Sequence, residues 1–393
     1  MKPSGLYISL FKVAMAVMLL LPYSFSFAGT PVRFAYDVDF DFNFDNREFY
    51  KSGFSSSMTI FGARLTPSIG IEVGNTHKLM LGIDVMKDFG ASQVSPEIAG
   101  DGSAETGASQ HNADLLREII LYYRLDRQLG KTDMTLYAGI FPRRMSEGTY
   151  SQAFFSDSLR FYDNNLEGLL LKFRRPKAYF EVGCDWMGQY GQARRERFMI
   201  YSSGEGSLTK FLSLGYAGYM YHFANSAEVK GLVDNILINP YARFDFGHMT
   251  GMQALSVRVG WLQVLQNDRD HVGHYVFPGG GELDLEVRNW NFGIRNSLYY
   301  GTDIMPYYNN ADVGGHKYGH RLYLGDPFYR IHDDGAAGIG TYDRLELFWA
   351  PRYDFLTVKV GALFHFNDFR YSGCQQVVQL FFDLEALMQK RNK

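Results

Sequence analysis

The chain has 393 residues, 46% apolar and 21% charged, and its 32 Phe, 27 Tyr and 4 Trp exclude disorder, collagen and coiled coil as descriptions of the whole. With 39 basic against 42 acidic side chains the net charge is −3, so no basic field argues for nucleic acid as a partner. Past residue 30 no apolar run reaches the roughly 18 residues that a spanning helix needs, while 41 Gly and only 12 Pro suit a chain of many strands and turns.

Lys2 and Lys12, the apolar run 13–21, Pro22 and the small-x-small triplet Ser26-Phe27-Ala28 follow the order of a cleaved secretory signal peptide. The run is too short to anchor as a helix, and no Cys follows the cut to take a lipid. Residues 1–28 are therefore set aside and 29–393 read as one domain; losing Lys2 and Lys12 leaves 37 basic against 42 acidic groups, a net −5. Two cysteines, Cys184 and Cys374, are too few for a disulfide scaffold. Cys184 shares an alternating face with Phe180, Val182 and Trp186 and reads as a small apolar residue.

Strict alternation opens the mature chain. Phe34, Tyr36, Val38, Phe40, Phe42 and Phe44 point one way, and Asp37, Asp39, Asp41 and Asn43 the other. The pattern returns with Leu79, Leu81, Ile83 and Val85 against Lys78 and Asp84, with Met134 to Ile140 against Asp133, Thr135 and Tyr137, and with Ile236, Ile238, Ala242 and Phe244 against Asn239, Arg243 and Asp245. Near the end come Leu356, Val358, Val360, Ala362 and Phe364 against Thr357, Lys359 and His365, then Val378, Leu380 and Phe382 against Gln375, Gln379 and Asp383. A soluble sandwich also alternates, but its strands run about five or six residues; these reach the nine to eleven or so of a tilted membrane strand. Charges of both signs on the polar faces suit an aqueous lumen, and Tyr123, Phe173, Trp186 and Trp349 near strand ends suit interfacial girdles.

Connections alternate as well: short at 74–76, long at 89–113, short at 127–131, long at 142–164, short at 175–177. Continuing predicts strands near 33, 57, 78, 115, 132, 166, 178, 195, 208, 234, 254, 283, 319, 342, 355 and 374, an even sixteen with both termini at the short-turn, periplasmic side. The apolar phase flips between Leu283, Leu285, Val287 and Trp290, Phe292, Ile294, which requires a bulge or a hidden hairpin. The scheme also makes 301–317 an uncommonly long periplasmic connection, and fourteen strands remain an alternative.

On these patterns the chain resembles Gram-negative outer-membrane β-barrel proteins, most of all the porin-sized barrels of the Bacteroides group. The resemblance covers the whole mature chain. It implies an all-β fold, a single transmembrane antiparallel up-and-down barrel, placed in the outer membrane by the barrel-assembly machinery and surrounded by outer-membrane lipid. Such proteins commonly finish on an aromatic residue; here Phe381 and Phe382 lie inside the last strand, and a basic tail ends at Lys393.

The most distinctive local text runs from Arg143 and Arg144 through Asp157 to Arg160 and Asp163. These five residues are the candidate pore constriction, set by opposed charges; the other reading is a self-packed outer loop. Asp37, Asp39, Asp41, Arg243 and Lys359 are candidate lumen charges, joined by Arg64, Lys78, Arg124, Arg258 and Arg295 on inward positions, so mixed charge with little selectivity is expected. The pairs His271/His274 and His316/His320 sit in Gly-rich loops, where solvated histidines are a better reading than a metal site. A barrel lipid hydrolase would need a nucleophile, a His and an orienting partner near the membrane boundary. His222 and His365 lie on strands with Ser213 or Ser297 as conceivable neighbours, but no motif joins them, and the phospholipase barrels' His followed by Ser-Asn-Gly is absent. The run Gly279 to Gly281 reads as a turn. The expected function is therefore passive passage of small hydrophilic solutes, with no enzyme, cofactor or metal. A plugged barrel acting as a surface binding or structural protein is the alternative. Outward strands meet lipid and a second copy with the same apolar alternation, so a homo-oligomer is compatible with the sequence.

Overall fold

The computed structural model describes residues 31–49, 52–89, 115–192, 194–312, 315, 317–332, 338–351, 353 and 355–383. The proposed signal peptide, most of the 89–113 loop, His316 and the basic tail lie outside them. Sixteen strands close into one antiparallel barrel in which each pairs with its sequence neighbours and β1 pairs with β16. They are β1 (Val32–Glu48), β2 (Met58–Val73), β3 (His77–Asp88), β4 (Leu116–Leu129), β5 (Thr132–Pro142), β6 (Asn165–Arg175), β7 (Ala178–Gly188) and β8 (Arg197–Ser207). The second half comprises β9 (Leu212–Phe223), β10 (Val233–Asp245), β11 (Ala254–Asp268), β12 (Gly279–Asn289), β13 (Phe292–Thr302), β14 (Ile339–Trp349), β15 (Leu356–Asn367) and β16 (Arg370–Asp383). Closure removes every strand edge, which is what lets a sheet cross lipid with no unpaired backbone.

The alternation reads directly onto the wall. On β1, Phe34, Tyr36 and Phe40 are exposed outward while Asp37, Asp39, Asn43 and Asp45 are buried inward. Cys184 and Cys374 are free. Trp349, Phe292 and Trp290 lie outward by the short turns, and Trp186, Tyr300 and Phe277 outward by the long loops. These are the two aromatic belts of a membrane barrel. Where β5 meets β6, Gly139 (φ 123°) faces Gly168 (φ 156°), and a Cβ on Gly139 would strike the Leu121 carbonyl, so the wall can bend there only with glycine.

Two expectations are corrected. No strand forms near 319, where Gly319–Leu322 is a helical turn; the sixteenth strand is β13. The phase flip at 283–294 is a hidden hairpin, turned by Trp290 (φ 50°) and Asn291 (φ 67°) in a two-residue connection. That shifts the chain by one crossing, so the long connection 303–338 stands at the long-loop end rather than the periplasmic one.

The second correction concerns the interior, which is not polar throughout. In the long-loop half of the barrel, Tyr201, Tyr219, Tyr221, Leu237, Val264 and Tyr299 on the inner wall are buried against Phe154, Phe155, Tyr318, Leu322 and Phe328 from two connections. The inner wall is apolar there because it packs on folded loops instead of facing water.

Candidate functional site

The 143–164 connection folds inward as a short turn (Arg143–Met145) and a helix α1 (Asp157–Tyr162), capped by the Ser156 side chain accepting from Leu159 N. It crosses the lumen and is tied to the wall on several sides. Arg143 bridges Asp163 and Asp185, each at 3.1 Å, and Arg144 reaches Asp39 and, at 3.2 Å, Asp37. Glu181 on β7 accepts from Glu147 N, Gly148 N and the Tyr150 hydroxyl. Arg64 on β2 donates to the carbonyls of Phe161 and Tyr162, and Arg344 on β14 pairs with Asp157 at 2.9 Å. Residues 324–326 of the following long connection lie against it, with Ser156 N donating to Leu324 O and Asp326 N to Gln152 O.

The candidate constriction residues thus lie inside the barrel, but Arg143 and Arg144 do not face carboxylates across a gap; each is locked to one wall. Arg160 projects into a chamber below the loop, which Asp41, Arg243 and Lys359 also line. Asp37, Asp39 and Asp383 bring carboxylate oxygens within 4.8 Å of one another, and the Arg144 guanidinium is the cation placed on the first two. The serine and histidine pairs weighed from sequence do not meet. Ser297 donates to Asp284 at 2.6 Å, Ser213 sits opposite Arg243 at the short-turn end of β9, and His365 is buried between Tyr342 and Gln375.

A different histidine is held in a chemically useful way. β11 ends on Asp268, whose backbone carbonyl accepts from Val272 N and Gly273 N, and Gly273 (φ 72°) closes this tight turn. The Asp268 carboxylate is fully buried and accepts from His271 N at 3.2 Å, from Asn310 Nδ2 at 3.2 Å and from the His271 ring. Both carboxylate oxygens stand 3.1 Å from Nδ1. A carboxylate can only accept, so Nδ1 carries a proton, and the neutral ring then keeps its Nε2 lone pair on a side chain 41% exposed. Tyr318 packs on the same ring, edge to face, and is itself fixed by Phe223 and by the buried Arg195–Asp312 pair.

Beside this pair the outer wall presents polar groups over aromatic ones. Arg269 grips Asp234 through Nε at 2.6 Å and Nη2 at 2.9 Å, and the Tyr275 hydroxyl donates to the same carboxylate at 3.1 Å. His222 stands across the strand pair from Asp234, next to Phe198, which stacks on Trp186. Phe277 is 65% exposed on the following segment. Polar heads above exposed aromatics match the level of lipid headgroups. Spacing had singled out His271 and His274 as a pair; the working partner is Asp268, three residues back, while Asn310 and Tyr318 come from a connection no local signal links to it.

Solved structures similar over most of the chain include a loop-deletion mutant of OmpT, an outer membrane protein of Vibrio cholerae (10% identity, 90% of this chain and 99% of that one, TM-score 0.48). OccK11 (OpdR) of Pseudomonas aeruginosa follows at 9% identity, 89% and 95% coverage and TM-score 0.45. A mutant of the Rh. blastica porin is similar at 11% identity, 89% and 100% coverage and TM-score 0.41. No curated protein matches the sequence. The family model described as lipid A 3′-O-deacylase-type matches residues 35–316, about seven tenths of the chain, from the fourth residue of β1 through β13. A deacylase is a hydrolase, so this match overturns the expectation of a barrel without an enzyme. The chain belongs to the lipid A 3′-O-deacylase-type family.

Proposed function

We propose that the protein hydrolyses an acyl ester of an outer-leaflet glycolipid of the lipid A class, at the long-loop rim of the barrel. The observation that carries this reading is the Asp268–His271 pair: a buried carboxylate fixing the tautomer of a solvent-facing imidazole, at headgroup level and inside the family-matched span. His271 Nε2 takes a proton from water as the water oxygen attacks the ester carbonyl. The tetrahedral intermediate then collapses, the acyl C–O bond breaks, and the imidazolium returns the proton to the leaving sugar hydroxyl. Arg269 and the exposed aromatics nearby would seat the glycolipid's anionic and apolar parts.

Mass spectrometry of lipid A from cells making the wild-type chain should show loss of one ester-linked acyl group. His271→Ala and Asp268→Asn should each lower that conversion roughly 10²- to 10⁴-fold, with barrel content unchanged. Unaltered lipid A with the wild-type protein, or full conversion by His271→Ala, would sink the assignment. A second reading, solute passage, is favoured by the charged chamber of about 540 Å³ in the lower lumen. The loops folded above it argue against free flow.

A further inference from the structure

The lower lumen is built as a site. Its roof is the inward-folded loop, through Tyr150, Gln152, Asp157 and Arg160. Its walls are strand positions close to the short turns, such as Ser256 near the start of β11 and Glu286 near the end of β12, so the chamber faces the short-turn mouth. A volume of about 540 Å³ falls in the range of small-molecule sites.

Nearly every charge lining it is neutralised. Arg243 pairs with Glu205, and Arg258 with Glu282 and Asp284. Arg295 pairs with Glu286 and Glu346, Arg344 with Asp157, and Lys359 with Glu346. Among the described residues, two lining groups of opposite sign are left over. The Arg160 guanidinium makes one long bond of 3.4 Å, to the Tyr150 carbonyl, and no ion pair. Asp41, reaching in from β1, makes neither an ion pair nor a side-chain hydrogen bond among the described residues. Arginine cannot shed its charge, and inside a narrow walled chamber an unmatched charge attracts its complement more strongly than in open water. The two do not satisfy each other, so the gap between them asks for something carrying both signs.

We propose that this chamber binds a small zwitterionic solute entering from the short-turn side, its carboxylate on Arg160 and its ammonium on Asp41. Guanidinium and carboxylate match as a two-bond fork, which would fix the solute's orientation. The proposal is independent of the hydrolytic reading, because Arg160 lies under the loop and His271 lies on the rim.

Calorimetric titration of the purified full chain in detergent tests it, with glycylglycine as the zwitterion and acetate and ethylammonium as single-charge controls. Saturable binding of glycylglycine is expected, weakened at least tenfold in Arg160→Gln and in Asp41→Asn, with neither control binding as tightly. Heat-modifiable migration of each variant verifies the closed barrel, and Arg160→Gln should still deacylate lipid A. No saturable binding to the folded wild-type chain, equal affinity in both variants, or acetate binding as well as glycylglycine would each overturn it.

Discussion

Asp303, the first residue after β13, shows how folding a loop into the lumen taxes a single carboxyl group. Burial raises its pKa to about 7 against the pull of the Met305 N–H, which donates to Oδ1 at 2.6 Å, and of Arg330. A carboxyl whose folded pKa lies above its unfolded value of about 4 holds its proton more tightly when folded. The cost this one group imposes on stability is therefore absent below about pH 4 and grows as pH rises toward 7. Asp303→Asn keeps the acceptor for Met305 and removes the loss, so it should match wild type near pH 4. At pH 8 it should exceed wild type by on the order of a few kcal/mol. Denaturant midpoints at the two pH values check this, and equal midpoints at pH 8 would refute it. Asp157 on α1 is the opposite case. Burial raises its pKa, but Arg344, Lys359 and Arg160 together outweigh burial and hold it well below the ordinary carboxylate range. What that ion pair contributes is present above about pH 4 and lost only as pH falls through the depressed value, so the loop stays tied in mild acid.

Hairpin turns are where element and sequence can disagree. β15 and β16 join through Asp368 (φ 48°) and Phe369 (φ 58°), both left-handed, the geometry that normally selects Asn-Gly or Asp-Gly. Phe369 is 76% exposed, so little packing offsets its backbone strain. Phe369→Gly should stabilise the barrel by about 1 kcal/mol, read as a higher denaturant midpoint, and a lower midpoint would mean that the ring anchors the turn in lipid. The same geometry hid β13 from sequence reading. Trp290 and Asn291 supply no glycine to announce a turn, so only the flip of apolar phase from Val287 to Phe292 betrayed the hairpin. Elsewhere β1, β3, β6, β7, β10 and β11 were legible nearly to the residue, because a wall with lipid on one side and the lumen on the other imposes a period of two.

For the whole molecule, the decisive feature is the pair of connections packed inside the barrel. Wild-type protein in a planar bilayer should show small or no open steps, whereas replacing residues 146–162 by a short Gly-Ser linker should raise conductance several-fold. Large stable steps from the wild type would restore the solute-channel reading. Of the candidate site, the sequence displayed His271 and the charges at 143–163, but not their partners. Arg144 finds Asp37 and Asp39 more than a hundred residues away, and Asp268 finds Asn310 only because the segment after β13 turns back against the end of β11. Alternation by itself determined that this chain is a large antiparallel outer-membrane barrel, since each strand must satisfy two solvents locally; the count of sixteen came with the Trp290–Asn291 hairpin that adds β13 in place of the strand expected near 319. Whether the lumen is empty or filled, and which histidine meets a buried carboxylate, was decided only by the tertiary structure, because loop packing rests on contacts between distant residues that no local period records.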